Sequence, residues 1–348
     1  MVRGRLPILP LFVETVGCSP ECVGCLPTAG WDRPVWTVFG PGQIEAALRN
    51  RRESGARMPV KLAFYGYGLL EQSAALQTDF VDEVMQGMRR GSVSGFRIAL
   101  RPDQVMDSSF GQWAARLPVE VELAVPTLAP GTVERLGPAH NLTLVEQAVG
   151  LLKKSGIPWG AHTQPGLPGE SFRASERSFL KILALEPAYL RITPVLVIRG
   201  TRLHEAFTAG RYTLRTLDEW IESLGRMMDM AEKSRVPVAR LGWQPSDLRI
   251  RDDAVVAGPY HPSLRLLVES ERAFAWVSGL LQLRVPPGRP ARILVHPSRV
   301  EAVRGFQSLN IQRLRHRHRS RYLEVGGDPT LSQDALVLEF EGERHSLS

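Results

Sequence analysis

Apolar residues along this chain switch between two periods. Runs such as "ILPLFVET" (8–15), "VKLAFYGYG" (60–68), "GFRIALR" (95–101), "VEVELAV" (119–125), "IPWGAHT" (157–163) and "YLRITPVLV" (189–197) are short and rich in β-branched, aliphatic and aromatic side chains. They read as strands. Between them, residues 71–90, 142–155, 170–184 and 216–234 carry apolar positions at helical spacing; in 142–155 these are Leu144, Val145, Ala148, Leu151 and Leu152. Strands alternating with helices predict an α/β fold with a parallel sheet and right-handed crossovers. Six such units make a partial (β/α)6 barrel, with "VPVARLGW" (236–243) as an extra strand. The composition changes at "VPPGRP" (285–290), a turn or linker. Beyond it the pattern predicts a strand in "ARILVHP", a helix from Ser298 to Arg315, and strands near 321–325 and 335–340. The expected organisation is therefore a barrel with its extension over 1–284 and a small basic α/β appendage over 285–348.

Composition narrows the class. The hydrophobic fraction of 43% over 348 residues is that of a chain with a real core. No apolar run reaches the roughly 20 residues of a membrane span. "LPILPLFV" is too short for one and leads directly into cysteines, which argues against a signal peptide. Three cysteines cannot form a closed disulfide framework, so a reducing cytoplasm and no membrane association are expected. The net charge of +7 permits an anionic partner.

All three cysteines lie in "GCSPECVGC" (17–25): Cys18, Cys22 and Cys25. A structural zinc site wants four ligands, usually as two separated pairs, and no second C-x-x-C exists. Inert thiols do not explain the clustering. An iron–sulfur cluster on three thiolates is the favoured reading, with zinc the alternative. The cysteines follow the first strand, so they fall at the C-terminal mouth where parallel barrels keep their chemistry.

At this point the chain resembles the radical S-adenosylmethionine superfamily, within it the branch similar to the radical domain of the elongator catalytic subunit. C-x3-C-x2-C is the superfamily's spacing for a [4Fe–4S] cluster with one open iron. Five further segments follow in that branch's order over roughly residues 6–280, after "FYGYGLL" (64–70): "ALRPD" (99–103), "ELAVPT" (122–127), "QPGLPG" (164–169), "TPVLVIRGT" (193–201) and "AGPYHP" (257–262). The resemblance implies a [4Fe–4S] cluster on Cys18, Cys22 and Cys25 and reductive cleavage of S-adenosylmethionine to a 5′-deoxyadenosyl radical. It also implies an electron donor such as flavodoxin or ferredoxin. Gly66, Tyr67, Gly68, Arg101, Glu122 and Arg191 become cofactor-side candidates, and His162, Gln164, Trp243, Gln244, Tyr260 and His261 substrate-side candidates. Two positions depart from the branch: Gly24 stands where an aromatic residue precedes the third cysteine, and Tyr67 where the second glycine of a pair receives the methionyl amine.

Each candidate also has an ordinary structural reading. Arg101 has Asp103 nearby for a salt bridge, and Arg191 suits a buried ion pair. Glu122 sits in an apolar strand, with Glu120 sharing its parity. His162 suits a hydrogen-bonded core position, and the remaining candidates suit packing and turns. The tail "IQRLRHRHRSRY" (311–322) spaces Arg313, Arg315, Arg317, Arg319 and Arg321 by two. In a strand all five share a face; in a helix they scatter. A phosphate-rich partner, RNA with tRNA among the candidates, is the favoured reading of this density. Residues 296–314 faintly resemble a KH RNA-binding core, whose G-x-x-G loop would be "GFQS", starting at Gly305. The leading expectation is a radical enzyme that modifies RNA. The alternatives are the same chemistry on a small molecule or peptide, and a non-catalytic iron–sulfur or RNA-binding protein with a decayed cofactor pocket.

Overall fold

The structure is a computed structural model, and it describes residues 7–12, 42–243 and 254–347. It divides into two compact units, one comprising 1–214 and 230–260, the other 215–229 and 261–348.

The first unit is built on a seven-stranded, all-parallel sheet. In chain order its elements are β1 (Ile8–Phe12), α1 (Gln43–Glu53), β2 (Val60–Tyr65), α2 (Ala74–Arg89), β3 (Val93–Leu100), α3 (Pro102–Val105), α4 (Ser108–Arg116), β4 (Val119–Ala124), α5 (Leu142–Lys154), β5 (Trp159–Thr163), α6 (Phe172–Ala184), β6 (Leu190–Ile192), β7 (Val197–Ile198) and α7 (Arg202–Thr208). Helix α8 (Leu217–Lys233) divides between the units at Asp229, and β8 (Val238–Leu241) and β9 (Val255–Ala257) complete the first. The sheet order β1-β2-β3-β4-β5-β6-β8 makes it a half-barrel of the six expected strands with the extra strand expected at 236–243, β8, as the seventh. Local signals start the helices: Ser73, Asn141 and Ser171 accept backbone N–H bonds at the first turns of α2, α5 and α6.

Strand parity explains the layers. Leu62 and Phe64, Phe96, Ile98 and Leu100, and Val121 and Leu123 are fully buried on the helix-covered face. There Phe64 packs edge-on against Phe80 at 4.6 Å, and Phe80 stacks on Trp113 at 4.9 Å. The opposite parity faces the barrel interior and is polar. Arg97 aligns with Glu120 across the sheet, and His162 with Arg191 and then Arg240.

The strand expected over 189–197 is two strands. Pro194 has no N–H for the ladder, and β7 pairs antiparallel with β9 in a separate small sheet. Gly258 closes that sheet at φ 120°, where a Cβ would meet Leu196 Cδ2 at 2.9 Å and the Val195 carbonyl at 3.1 Å.

The second unit contains α9 (Leu264–Arg284), β10 (Ala291–Val295), α10 (Val300–Arg304), α11 (Leu309–His318), β11 (Leu323–Gly327), β12 (Leu336–Phe340) and β13 (Glu343–Leu347). Its sheet runs β11-β10-β12-β13, with β10 and β11 parallel. The boundary expected at 285 falls inside this unit, because Phe274, Val277 and Leu281 of α9 share one core with Ile293, Leu314 and Leu338. The helix expected from Ser298 to Arg315 is broken at Gly305, at φ 80°, where a Cβ would lie 2.8 Å from the Asn310 backbone nitrogen. Gln307 and Ser308 follow at positive φ before α11 begins.

Candidate functional site

Chemistry in a parallel barrel gathers where the strands end. Cys18, Cys22 and Cys25, together with Gly24 and Gln244, lie outside the described residues. In sequence the three cysteines follow β1 within the connection to α1. That donor set suits an iron–sulfur cluster. Among the described residues no cluster of histidine, cysteine and carboxylate ligands forms a metal site.

Beside β1, strand β2 ends in Gly66, Tyr67 and Gly68. Gly66 turns the chain at φ 101°, a conformation costly for other residues. Two residues of the next unit hold this turn. Gln104 Nε2 donates to the Tyr67 carbonyl at 2.6 Å and to Glu71 Oε1 at 3.0 Å. Arg101, 4% exposed, donates to Glu71 at 3.0 Å and to both oxygens of Asp103 at 3.0 Å. The salt bridge anticipated for Arg101 is therefore present, and Glu71 shares it. The sequence pattern did not single out Glu71 or Gln104. The available signal was Gln104 standing three residues after Arg101, where its side chain accepts from the Arg101 N–H at the start of α3.

Deeper in, Glu122 faces the interior and is paired: Arg191 Nη1 donates to its Oε1 at 2.9 Å, with both side chains at least nine-tenths buried. The Arg191 guanidinium also lies 4.9 Å from the Tyr65 ring centroid. Burial, and then the Glu122 charge, push the Tyr65 phenol above its ordinary value. Glu120, of the same parity, is taken by Lys61 at 2.6 Å and by Arg97. The parity expected for the two carboxylates is observed, and each already has a basic partner.

His162 links the mouth to the sheet. Its Nδ1 lies 3.2 Å from the Tyr67 hydroxyl and its Nε2 2.5 Å from Thr193 Oγ1. Burial, with Arg191 and Arg240 nearby, holds its pKa well below 6.5, so the imidazole is neutral at physiological pH. A neutral ring can donate through one nitrogen and accept through the other. The Tyr67 side chain thus lies across the mouth toward β5. Thr193 shares parity with Arg191, the signal that would have found it.

The other candidates have local roles in the geometry. The Gln164 N–H donates to the Pro126 carbonyl at 2.9 Å. The turn after it is held by Glu170, which accepts from Thr127 (2.6 Å), Ser175 (2.7 Å) and the Gly166 N–H (3.2 Å). Trp243 donates from its indole N–H to the Pro194 carbonyl at 2.6 Å, and Tyr260 packs with Leu196 and Ile198. His261 belongs to the second unit, where it accepts from the Ser263 N–H at 3.0 Å and meets Phe306 edge-on at 5.7 Å.

The arginines do not form a single stripe, because Arg313, Arg315 and Arg317 are on a helix and Arg319 caps it at φ 54°. Arg313 is bound to Glu271 at 2.6 and 3.0 Å and lies 3.7 Å from the Phe274 ring centroid. Arg315 donates to the Leu323 carbonyl at 3.0 Å. Gly305 meets the packing demand of Asn310, whose Nδ2 donates to the Ser270 carbonyl at 2.7 Å.

The family model "Radical_SAM C-terminal domain" matches residues 187–273. Over 128 residues the chain is 31% identical to a tRNA uridine(34) acetyltransferase of Methanocaldococcus jannaschii, an alignment covering 36% of this chain and 24% of that protein. Over 219 residues it is 28% identical to Elongator complex protein 3 of Bos taurus, covering 60% and 38%. Among solved structures, the archaeal Methanocaldococcus infernus Elp3 with an N-terminal deletion shares the fold with a TM-score of 0.55 at 18% identity, over 80% of this chain and 64% of that one. The chain spans between 24% and 54% of the length of such curated relatives. On its fold, the family model matched over 187–273 and these relatives, the chain is similar to the radical S-adenosylmethionine superfamily, in the branch of the elongator catalytic subunit.

Proposed function

We propose that this protein is a radical S-adenosylmethionine enzyme that modifies RNA, with tRNA the first substrate to test. The feature that supports the chemistry is the C-x3-C-x2-C sequence of Cys18, Cys22 and Cys25 following β1 in a chain folded as a parallel half-barrel with a polar interior. Cys18, Cys22 and Cys25 would hold a [4Fe–4S] cluster. When bound and reduced by a low-potential donor of the flavodoxin or ferredoxin kind, it supplies the electron that cleaves S-adenosylmethionine to a 5′-deoxyadenosyl radical. The chain's own residues shape the place where this happens. Gly66 makes the positive-φ turn after β2, Gln104 and Glu71 fix that turn, and the Glu122–Arg191 pair lies deeper in the interior. The neutral His162 keeps the Tyr67 phenol in place without adding a charge. RNA as substrate is supported by relatives named for tRNA uridine(34) acetylation and by the exposed basic end of α11.

Anaerobic reconstitution tests the chemistry. The protein should take up about four irons. On reduction it should release methionine and 5′-deoxyadenosine, faster with total cellular RNA present. Stoichiometric zinc without an iron chromophore would overturn the cluster. Turnover that ignores RNA would favour a small-molecule or peptide substrate, a reading supported by Arg313 being already engaged by Glu271 and Phe274. An intact cluster with no cleavage would favour the decayed-pocket reading. Among the described residues no helix is long and apolar enough to cross a membrane. A reducing cytoplasm would keep the three thiols available as ligands.

A further inference from the structure

The half-barrel has a second opening, at the end opposite the mouth. A cavity of about 420 Å³ lies where β2, β3, β4 and β5 begin. That size is within the roughly 300–1,000 Å³ of small-ligand sites. Its walls are largely apolar, formed among others by Phe96, Leu117, Ile157 and Pro158, and its charged members are Lys61 and Glu120. The Lys61 stem passes over Gly95, whose Cβ, if present, would lie 3.5 Å from Lys61 Cε.

The charges at this end do not balance. Glu120 serves two cations at once: its Oε2 accepts from Lys61 at 2.6 Å, and its Oε1 accepts from Arg97. The next carboxylate along β4, Glu122, is committed to Arg191. Two cations therefore share one anion beside an apolar recess. Lys61 is the movable member, with a flexible stem and a side chain 26% exposed, against 11% for Arg97. If Lys61 turns to a second anion, Glu120 keeps Arg97 and both pairs are neutral.

We propose that this cavity is a binding site for a small amphiphilic monocarboxylate, its carboxylate on Lys61 and its apolar body against Pro118, Ile157 and Pro158. One excess positive charge matches one negative charge; a dianion would overcompensate it, and a neutral molecule would leave it unanswered. The cavity lies at the strand starts, the end of the sheet opposite Gly66, Tyr67 and Gly68.

The test uses the full-length protein with hexanoate and benzoate as probes, and hexanol and benzyl alcohol as neutral counterparts. Binding is read by calorimetry and ligand-observed magnetic resonance. The carboxylates should bind, weakening as salt rises. The alcohols should bind at least about tenfold more weakly, the effect of losing one charge-assisted hydrogen bond. Lys61→Met keeps the stem and leaves Arg97 on Glu120; it should lower carboxylate affinity by about tenfold or more. Ile157→Trp fills the recess and should abolish binding of all four probes. Thermal melting establishes that each variant is folded, and Lys61→Met carries the test alone if Ile157→Trp is not. No carboxylate binding up to the solubility limit overturns the proposal, as does equal binding by the alcohols or undiminished binding to folded Lys61→Met. Iron content and cleavage of S-adenosylmethionine should be unchanged in Lys61→Met, so failure here is distinguishable from failure of the enzymatic reading.

Discussion

Arg191 and Glu122 illustrate what one buried pair commits a site to. Each side chain is at least nine-tenths buried, and each neutralises the other. Removing one partner leaves an uncompensated charge, which costs about 3–5 kcal/mol. Arg191→Met should therefore destabilise the protein by about that amount in urea denaturation, and Arg191→Met with Glu122→Gln by clearly less. His140 offers a second residue-level test. It is 5% exposed, and its Nδ1 has no partner among the described residues. Burial lowers its pKa from 6.5 to about 4. The folded state favours the neutral ring, so this stability is present above pH 6.5 and is lost as the pH falls toward 4. The loss is about 3 kcal/mol at 1.36 kcal/mol per pH unit. Replacing His140 by Gln should flatten the pH dependence of the urea midpoint between pH 7 and 4.5. His162 shifts in the same direction, so some dependence should remain.

Elements are set by local signals until a close contact overrides them. Gly305 and Gly342 have nearly the same φ, 80° and 81°, but a Cβ on Gly305 would strike Asn310 whereas Gly342 has open space. Gly342→Ala should cost about 1 kcal/mol for its backbone conformation alone. Gly305→Ala should cost clearly more, because the α10–α11 turn must open. Differential denaturation of the two variants checks this. Helix α11 shows the same principle in charge. The spacing of its arginines by two has meaning only in a strand, and the chain there is helical to His318. Arg313 and Arg315 are used within the unit, so Arg317, Arg319 and Arg321 are the exposed cations to test. Changing these three to Gln should weaken RNA binding and reduce its log–log salt slope by about 2, at roughly 0.7 per single-strand phosphate contact. An unchanged slope in a fluorescence titration would assign them to solvated surface.

For the whole molecule, replacing any one of Cys18, Cys22 and Cys25 by Ala should make the iron labile, read as iron per protein before and after gel filtration. The sequence by itself determined the parallel α/β class, the order of the strands and the position of the three thiols after β1. These follow from period, from glycine and proline boundaries and from adjacency along the chain, all local properties. It also contained the parity that brings Glu120 and Glu122 to one face. Only the tertiary structure decided which partners those carboxylates have, because Lys61, Arg97 and Arg191 come from other strands, β2, β3 and β6, each 23 or more residues from its partner along the chain. It also decided that β7 pairs with β9 in a separate sheet and that α9 belongs with the second unit. Each of these choices is made by contacts between segments distant in sequence, where buried area and charge pairing outweigh local preference, and no period along the chain records them.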